Sequence, residues 1–190
     1  MKPLPRLMVA PNGARRGKAD HPALPIELDE LVNTAVACQR AGAGGIHLHV
    51  RDENGEPSLD VGRYREAISA IEHAAPDLFL QVTSEAASRF GPKAQMRMIR
   101  DLRPASVSLA LCELMRPPID EAMARDFYCW AMDASIAIHH IAYTPGQLRQ
   151  ILEFIDEGII PGKEHQLQLV IGSYADTEPS RPEDLEPYLD

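Results

Sequence analysis

The chain has 190 residues, enough for one domain with a real core, and its 45% hydrophobic and 25% charged residues exclude a disordered or membrane-embedded class. A formal net charge of -9 argues against nucleic acid and against an anionic membrane surface as partners, so an anionic substrate would need a local basic pocket. Three scattered cysteines (Cys38, Cys112, Cys129) spell neither a metal motif nor a secreted disulfide framework, and neither a signal peptide nor an apolar run of about 20 residues is present, so a reducing cytoplasm is the expected location.

Along the chain, a short apolar run, a loop and an amphipathic helix recur. Leu7 to Ala10 reads as a strand that stops at Pro11-Asn12-Gly13, a strong turn signal. A polar loop leads to a helix carrying Leu28, Leu31, Val32, Ala35 and Cys38, for which Gly42 suits the end. Ile46 to Val50 is the second strand. Tyr64, Ala67, Ile68 and Ile71 mark the second helix, closed by Pro76. Leu78 to Val82 is the third strand, and Pro92 opens a helix with Met96, Ile99 and Leu102. Ser106 to Leu111 is the fourth strand, followed by a helix with Met123, Phe127, Trp130 and Ala131. Ile136 to Tyr143 is the fifth; Thr144-Pro145-Gly146-Gln147 then spells a capping box for a helix that ends near Gly158. Leu167 to Ile171 is the sixth, and Ser180-Arg181-Pro182-Glu183 spells a second capping box before a helix with Leu185, Tyr188 and Leu189.

Six such units in strict alternation predict a parallel α/β fold. The absence of a glycine-rich phosphate loop after the first strand argues against a nucleotide-binding open sheet. A (β/α)8 TIM barrel takes eight units and about 250 residues. The expectation is therefore a single partial TIM-barrel domain over residues 1–190, comprising the first six β/α units. Six strands alone would expose strand edge and barrel interior, which predicts a fragment or a shortened chain completed by oligomerisation.

The sharpest chemical feature is Gly45-Ile46-His47-Leu48-His49-Val50-Arg51-Asp52. Side chains at i and i+2 on a strand share a side, so His47 and His49 project together near the C-terminal end of the second strand, where barrels build active sites. Two adjacent imidazoles suit a divalent transition metal such as zinc, against the alternative of two hydrogen-bonded, metal-free histidines. Arg51 and Asp52 are expected to brace the strand's exit as an ion pair, with a contact of either one to substrate as the alternative. The first loop, with Asn12, Arg15, Arg16, Lys18 and Asp20, is the most basic stretch of an acidic chain, either clamping a carboxylate or phosphate or remaining a solvated loop. Thr83 and Ser84 end the third strand with hydroxyls that either contact a substrate carboxylate or serve turn chemistry. Ser106 and Ser108 alternate with apolar neighbours and point inward together. Glu113 follows that strand as a candidate acid or base, against the commoner surface or salt-bridged role. Of His139 and His140, alternation sends one inward, a substrate contact, and the other toward helices. His21, His73 and His165 read as structural or surface residues without a partner in sequence.

The segments Ala10 to Arg15, Lys18 to Ile26, Ala41-Gly42-Ala43, His47 to Asp52, Gln81 to Ala86 and Leu102-Arg103-Pro104 together resemble the β-keto acid cleavage enzyme family, which includes the 3-keto-5-aminohexanoate cleavage enzymes. The resemblance implies an oligomeric TIM barrel with a divalent metal, commonly zinc, and acetyl-CoA as co-substrate. It implies an acyl transfer in which a deprotonated β-keto acid attacks the thioester and thiolate attack completes a retro-Claisen cleavage, giving acetoacetate and a new acyl-CoA. By this resemblance His47 and His49 match the metal ligands. Thr83 or Ser84 matches the hydroxyl that meets the substrate carboxylate, and Ser106 or Ser108 the fourth-strand hydroxyl lining the site.

Two departures accompany the match. Arg15 stands where better-known members carry a glutamate, implying a different substrate side chain, acidic or neutral. The family's third metal ligand, a late glutamate beside an aspartate and near a catalytic arginine, is expected beyond Asp190. The competing readings are a metal-dependent hydrolase, whose His-x-His pair belongs to a first strand, and an inactive truncated barrel. A cupin is disfavoured by the helical periods.

Overall fold

The computed structural model describes residues 4–85, 87–172 and 179–189. The chain divides into two compact units, Met1–Val107 and Ser108–Asp190. No composition shift or linker marks this boundary within the expected single domain.

In the first unit, β1 (Met8–Val9) pairs in parallel with β2 (Gly45–Leu48), and β2 pairs in parallel with β5 (Phe79–Thr83). Gly45 is required at the start of β2. A Cβ there would lie 3.0 Å from the Phe79 carbonyl oxygen and 2.9 Å from Pro5 Cγ. Between β1 and β2 runs α1 (Leu28–Arg40), whose Leu31 and Ala35 are buried. Glu30 fastens its start: the carboxylate accepts from the backbone of Ile26 (2.9 Å) and Glu27 (3.1 Å) and pairs with Lys18. These bonds, led by that to Lys18, hold the Glu30 carboxyl down to about 2.

The predicted second strand is interrupted. It stops at Leu48, and Val50–Arg51 (β3) instead forms an antiparallel hairpin with Pro57–Ser58 (β4). The tail of the apolar run thus leaves the parallel sheet, something period-2 alternation cannot signal. Next comes α2 (Val61–Ala74), capped by Asp60 accepting from the Arg63 backbone at 2.8 Å, which buries Tyr64, Ala67 and Ile71. After β5, α3 (Pro92–Leu102) starts with proline in its first turn. The unit boundary falls inside β6 (Ser106–Ala110).

In the second unit, β6 runs straight into a short helix, α4 (Leu111–Leu114), that periodicity did not anticipate. Then α5 (Glu121–Asp133) is capped by Asp120, accepting from the Met123 backbone at 2.9 Å. Strand β7 (Ala137–Ala142) pairs in parallel with β8 (Gln166–Leu169). Between them lies α6 (Pro145–Asp156), capped by Thr144. The predicted box closes one residue early, with Gln147 Oε1 accepting from the Tyr143 backbone at 2.9 Å. The final predicted helix is a 3-10 helix, Pro182–Tyr188. Its N-cap is Arg181 rather than Ser180, because Asp184 reaches back to the Arg181 backbone at 2.8 Å. Pro187 lies inside it, and its missing N–H disfavours an α-helix there.

Each unit has its own apolar interior. Ile46, Leu48, Tyr64, Ile71 and Ile99 are fully buried in the first, and Leu111, Leu114, Phe127, Ile151 and Ile159 in the second. Among the described residues no helix is long and apolar enough to cross a membrane.

Candidate functional site

The parallel register of β2 on β5 sets His47 directly opposite Gln81. Their side chains share a side, and His47 Nδ1 lies 2.5 Å from Gln81 Oε1. An amide oxygen only accepts, so Nδ1 carries the proton and Nε2 keeps its lone pair. That Nε2 faces the Nε2 of His49 at 3.2 Å, with the ring centroids 5.0 Å apart. The strand-alternation expectation holds in geometry even though His49 lies just past the end of β2.

Both rings are held neutral. Burial pushes His47 below its usual range; burial, then the nearby His47 and Arg51, push His49 down to about 3. Two imidazole nitrogens this close together could both ligate one divalent ion. The donor chemistry of the pair fits a divalent metal, with Gln81 as the outer partner that fixes the tautomer. Among the described residues no group of three or more His, Cys, Asp or Glu is placed to hold a metal ion.

The first loop closes against this pair. Asn12 is buried and donates from Nδ2 to the His49 carbonyl at 3.1 Å, while its Oδ1 is buried with no hydrogen-bond partner among the described residues. Arg15 and Arg16 are exposed. The expected Arg51–Asp52 brace takes a different form. Arg51 donates to the backbone carbonyls of Gly13 (2.7 Å), Arg16 (3.0 Å) and Gly55 (2.9 Å), whereas Asp52 pairs with Arg89 at 3.4 Å. Asp52 also accepts from the Glu56 and Asn54 backbones, which with the Arg89 charge lower its carboxyl.

Thr83 and Ser84 are both buried and differently engaged. Thr83 lies two residues beyond Gln81 and so on the His47 side of β5; its Oγ1 accepts from the Glu85 backbone at 3.1 Å. The Ser84 hydroxyl is hydrogen-bonded to Gln95 Oε1 of α3 at 2.9 Å. The carbonyl of Thr83 is fixed by the Tyr64 hydroxyl at 2.8 Å. Ser106, also buried, completes the first unit's set.

Ser108, Glu113 and His139 belong to the second unit and are all buried, so Glu113 is not a surface glutamate. His140 takes the helix-facing role, its ring 5.5 Å from Tyr128 of α5 and 6.3 Å from His165. Burial, then His165 and His139, lower His140 to about 3. His165 therefore lies near a second buried ring, a proximity that sequence reading did not provide. Sequence reading does not reveal Gln81 as a site-forming residue, and it gives Arg51 the wrong partner. A same-side glutamine opposite a histidine is visible only once strand register is known, and the Arg51 contacts reach 35 to 38 positions back along the chain.

Residues 6–190 match the sequence profile of the beta-keto acid cleavage enzyme family. Among curated relatives, the 3-keto-5-aminohexanoate cleavage enzyme of Fusobacterium nucleatum is 41% identical over 69 residues, covering 36% of this chain and 25% of that protein. The 3-oxoadipate:acetyl-CoA acetyltransferase of Cupriavidus necator is 35% identical over 104 residues, covering 55% of this chain and 36% of its own length. The matched segments thus span about a third or less of these relatives. Among solved structures, the binary complex of ObcA with oxaloacetate superposes with a TM-score of 0.61 at 15% identity, over 79% of this chain and 37% of that one. Type I 3-dehydroquinate dehydratase from Clostridium difficile gives 0.62 at 8% identity, over 96% and 67%. These likenesses establish the fold alone: the alternating strands and helices are part of a TIM barrel.

Proposed function

The chain belongs to the β-keto acid cleavage enzyme family, and on that premise we propose that it is the metal-binding portion of an acetyl-CoA-dependent β-keto acid cleavage enzyme. The reading rests above all on the convergence of His47 and His49, Nε2 to Nε2 at 3.2 Å, with Gln81 behind one of them. A divalent cation, zinc by the donor set, would supply Lewis-acid polarisation of the substrate's keto group. His47 and His49 would hold it, and Gln81 would keep His47 in the tautomer that leaves Nε2 free to bind. A carboxylate from outside the described residues would complete the coordination shell.

The other candidates take supporting roles in this proposal. Thr83 offers a hydroxyl to the substrate carboxylate, a role that the Ser84–Gln95 bond makes less suitable for Ser84. Asn12 brings a buried carbonyl oxygen, without a hydrogen-bond partner among the described residues, beside His49. Ser106, Ser108 and His139 are assigned to hydrogen bonding with substrate, and Glu113 to proton transfer. Arg15 is assigned the far end of the substrate, as a guanidinium pairing with a second carboxylate. A relative named for 3-oxoadipate, itself a β-keto diacid, agrees with that choice. The working enzyme is further proposed to be a homo-oligomer of the cytoplasm.

The test uses the full-length protein. A panel of β-keto acids is incubated with acetyl-CoA and acetoacetate is measured; β-keto diacids should be turned over best. Zinc content by elemental analysis should vanish in His47→Ala. Unchanged metal in that variant would refute the ligand assignment. Zinc bound with no acetoacetate from any panel member would favour a hydrolase instead.

A further inference from the structure

Arg51 is 5% exposed and stands two residues beyond His49. Its Nη2 donates to the Gly13 carbonyl at 2.7 Å and the Arg16 carbonyl at 3.0 Å, and lies 3.4 Å from that of Asn12; its Nη1 donates to the Gly55 carbonyl at 2.9 Å. Gly13 and Gly55 both adopt positive φ (54° and 76°), a conformation that side-chain-bearing residues rarely take. These glycines let two separate loops turn their carbonyls onto one guanidinium. The tie is reciprocal. Asn12, from the same loop, sends its Nδ2 back to the His49 carbonyl at 3.1 Å. A strand side chain thus grips the loop backbone, and a loop side chain grips the strand backbone at the imidazole.

We propose that Arg51 is a positioning residue that locks the 12–16 loop onto the His49 segment, so that the loop's Asn12 and Arg15 and the imidazole pair keep a fixed relative placement. The loop-locking part stands on geometry alone, and its consequence for metal binding rests on the reading under Proposed function. A planar fork with five donors can bridge carbonyls on two sides at once, which a lysine ammonium on a flexible stem cannot reproduce.

The test compares native protein with Arg51→Met and Arg51→Lys. Trypsin must attack the carbonyls of Arg15, Arg16 and Lys18, and Arg51 holds that of Arg16. Limited trypsin digestion read by mass spectrometry should show cleavage at these bonds on the order of tenfold faster in Arg51→Met, with cleavage unchanged at the other Lys and Arg sites that both proteins share. Arg51→Lys, which keeps charge and most of the volume, should fall between and serves as the readout if Arg51→Met does not fold. Zinc competition against a chromophoric chelator should show affinity on the order of tenfold weaker in the same variants. Equal loop cleavage in native and variant proteins overturns the proposal. If the native protein binds no zinc, the metal reading fails while the cleavage arm still decides the loop lock.

Discussion

At the scale of single residues, the decisive interaction is the 2.5 Å contact between His47 Nδ1 and Gln81 Oε1. A histidine meets a metal through one nitrogen, and the partner of the other nitrogen determines whether a lone pair is available. Gln81→Leu removes that partner at similar volume. It should leave the fold in place and weaken zinc binding about 10–100-fold, by the usual cost of losing an outer partner. Chelator competition measures this, and native-like affinity in the variant would show that the tautomer is fixed by something else. Thr83 and Ser84 illustrate a second residue-scale point. Neighbours in sequence and equally buried, they have opposite engagements because one continues the Gln81 side of β5 and the other turns to α3.

At the scale of elements, three helices end in the same hydrogen-bonded motif. After α1, Gly42 bonds to the Gln39 carbonyl and Ala43 to that of Cys38; after α6, Gly158 bonds to that of Ile155 and Ile159 to that of Phe154. After α5 the same pattern links Ser135 to the Met132 carbonyl and Ile136 to that of Ala131. The first two use glycine at the left-handed position, whereas Ser135 holds φ 59° with a side chain. Ser135 is exposed. Relieving the left-handed cost makes Ser135→Gly stabilising by about 1 kcal/mol. Urea unfolding of the two proteins checks this, and a lower midpoint in the variant would contradict it. The motif also explains why α5 turns so tightly into β7, since it buries Ile136 as the chain leaves the helix.

For the whole molecule, each unit carries a buried histidine held neutral down to about 3: His49 in the first and His140 in the second. In the unfolded chain these groups take up a proton near their ordinary value of 6.5. The unfolded state therefore binds more protons than the folded state between these limits. Their stabilising contribution is full above about pH 6.5 and is lost as pH falls toward 3, by up to about 1.4 kcal/mol per pH unit for each group. Denaturant midpoints of metal-free protein should be clearly lower at pH 5.5 than at pH 7.5, a range in which ordinary carboxylates stay ionised. Equal midpoints at the two values would mean that these rings are not buried in neutral form.

Short-range order is the part of this protein that can be read from its residues directly. The alternation of apolar runs and 3.6-residue periods located the main strands and helices, and the spacing of two histidines around Leu48 turned their rings to one side. Those signals survive because backbone geometry within a few residues is set by local sterics and hydrogen bonding. The tertiary structure alone decided the register that seats Gln81 against His47, the departure of Val50–Arg51 into a hairpin, the Arg51 grip on the first loop and the meeting of His140 with His165. These contacts join positions tens of residues apart or depend on which strand lies alongside which. No local period encodes that choice, because it is fixed by the packing of whole elements against one another.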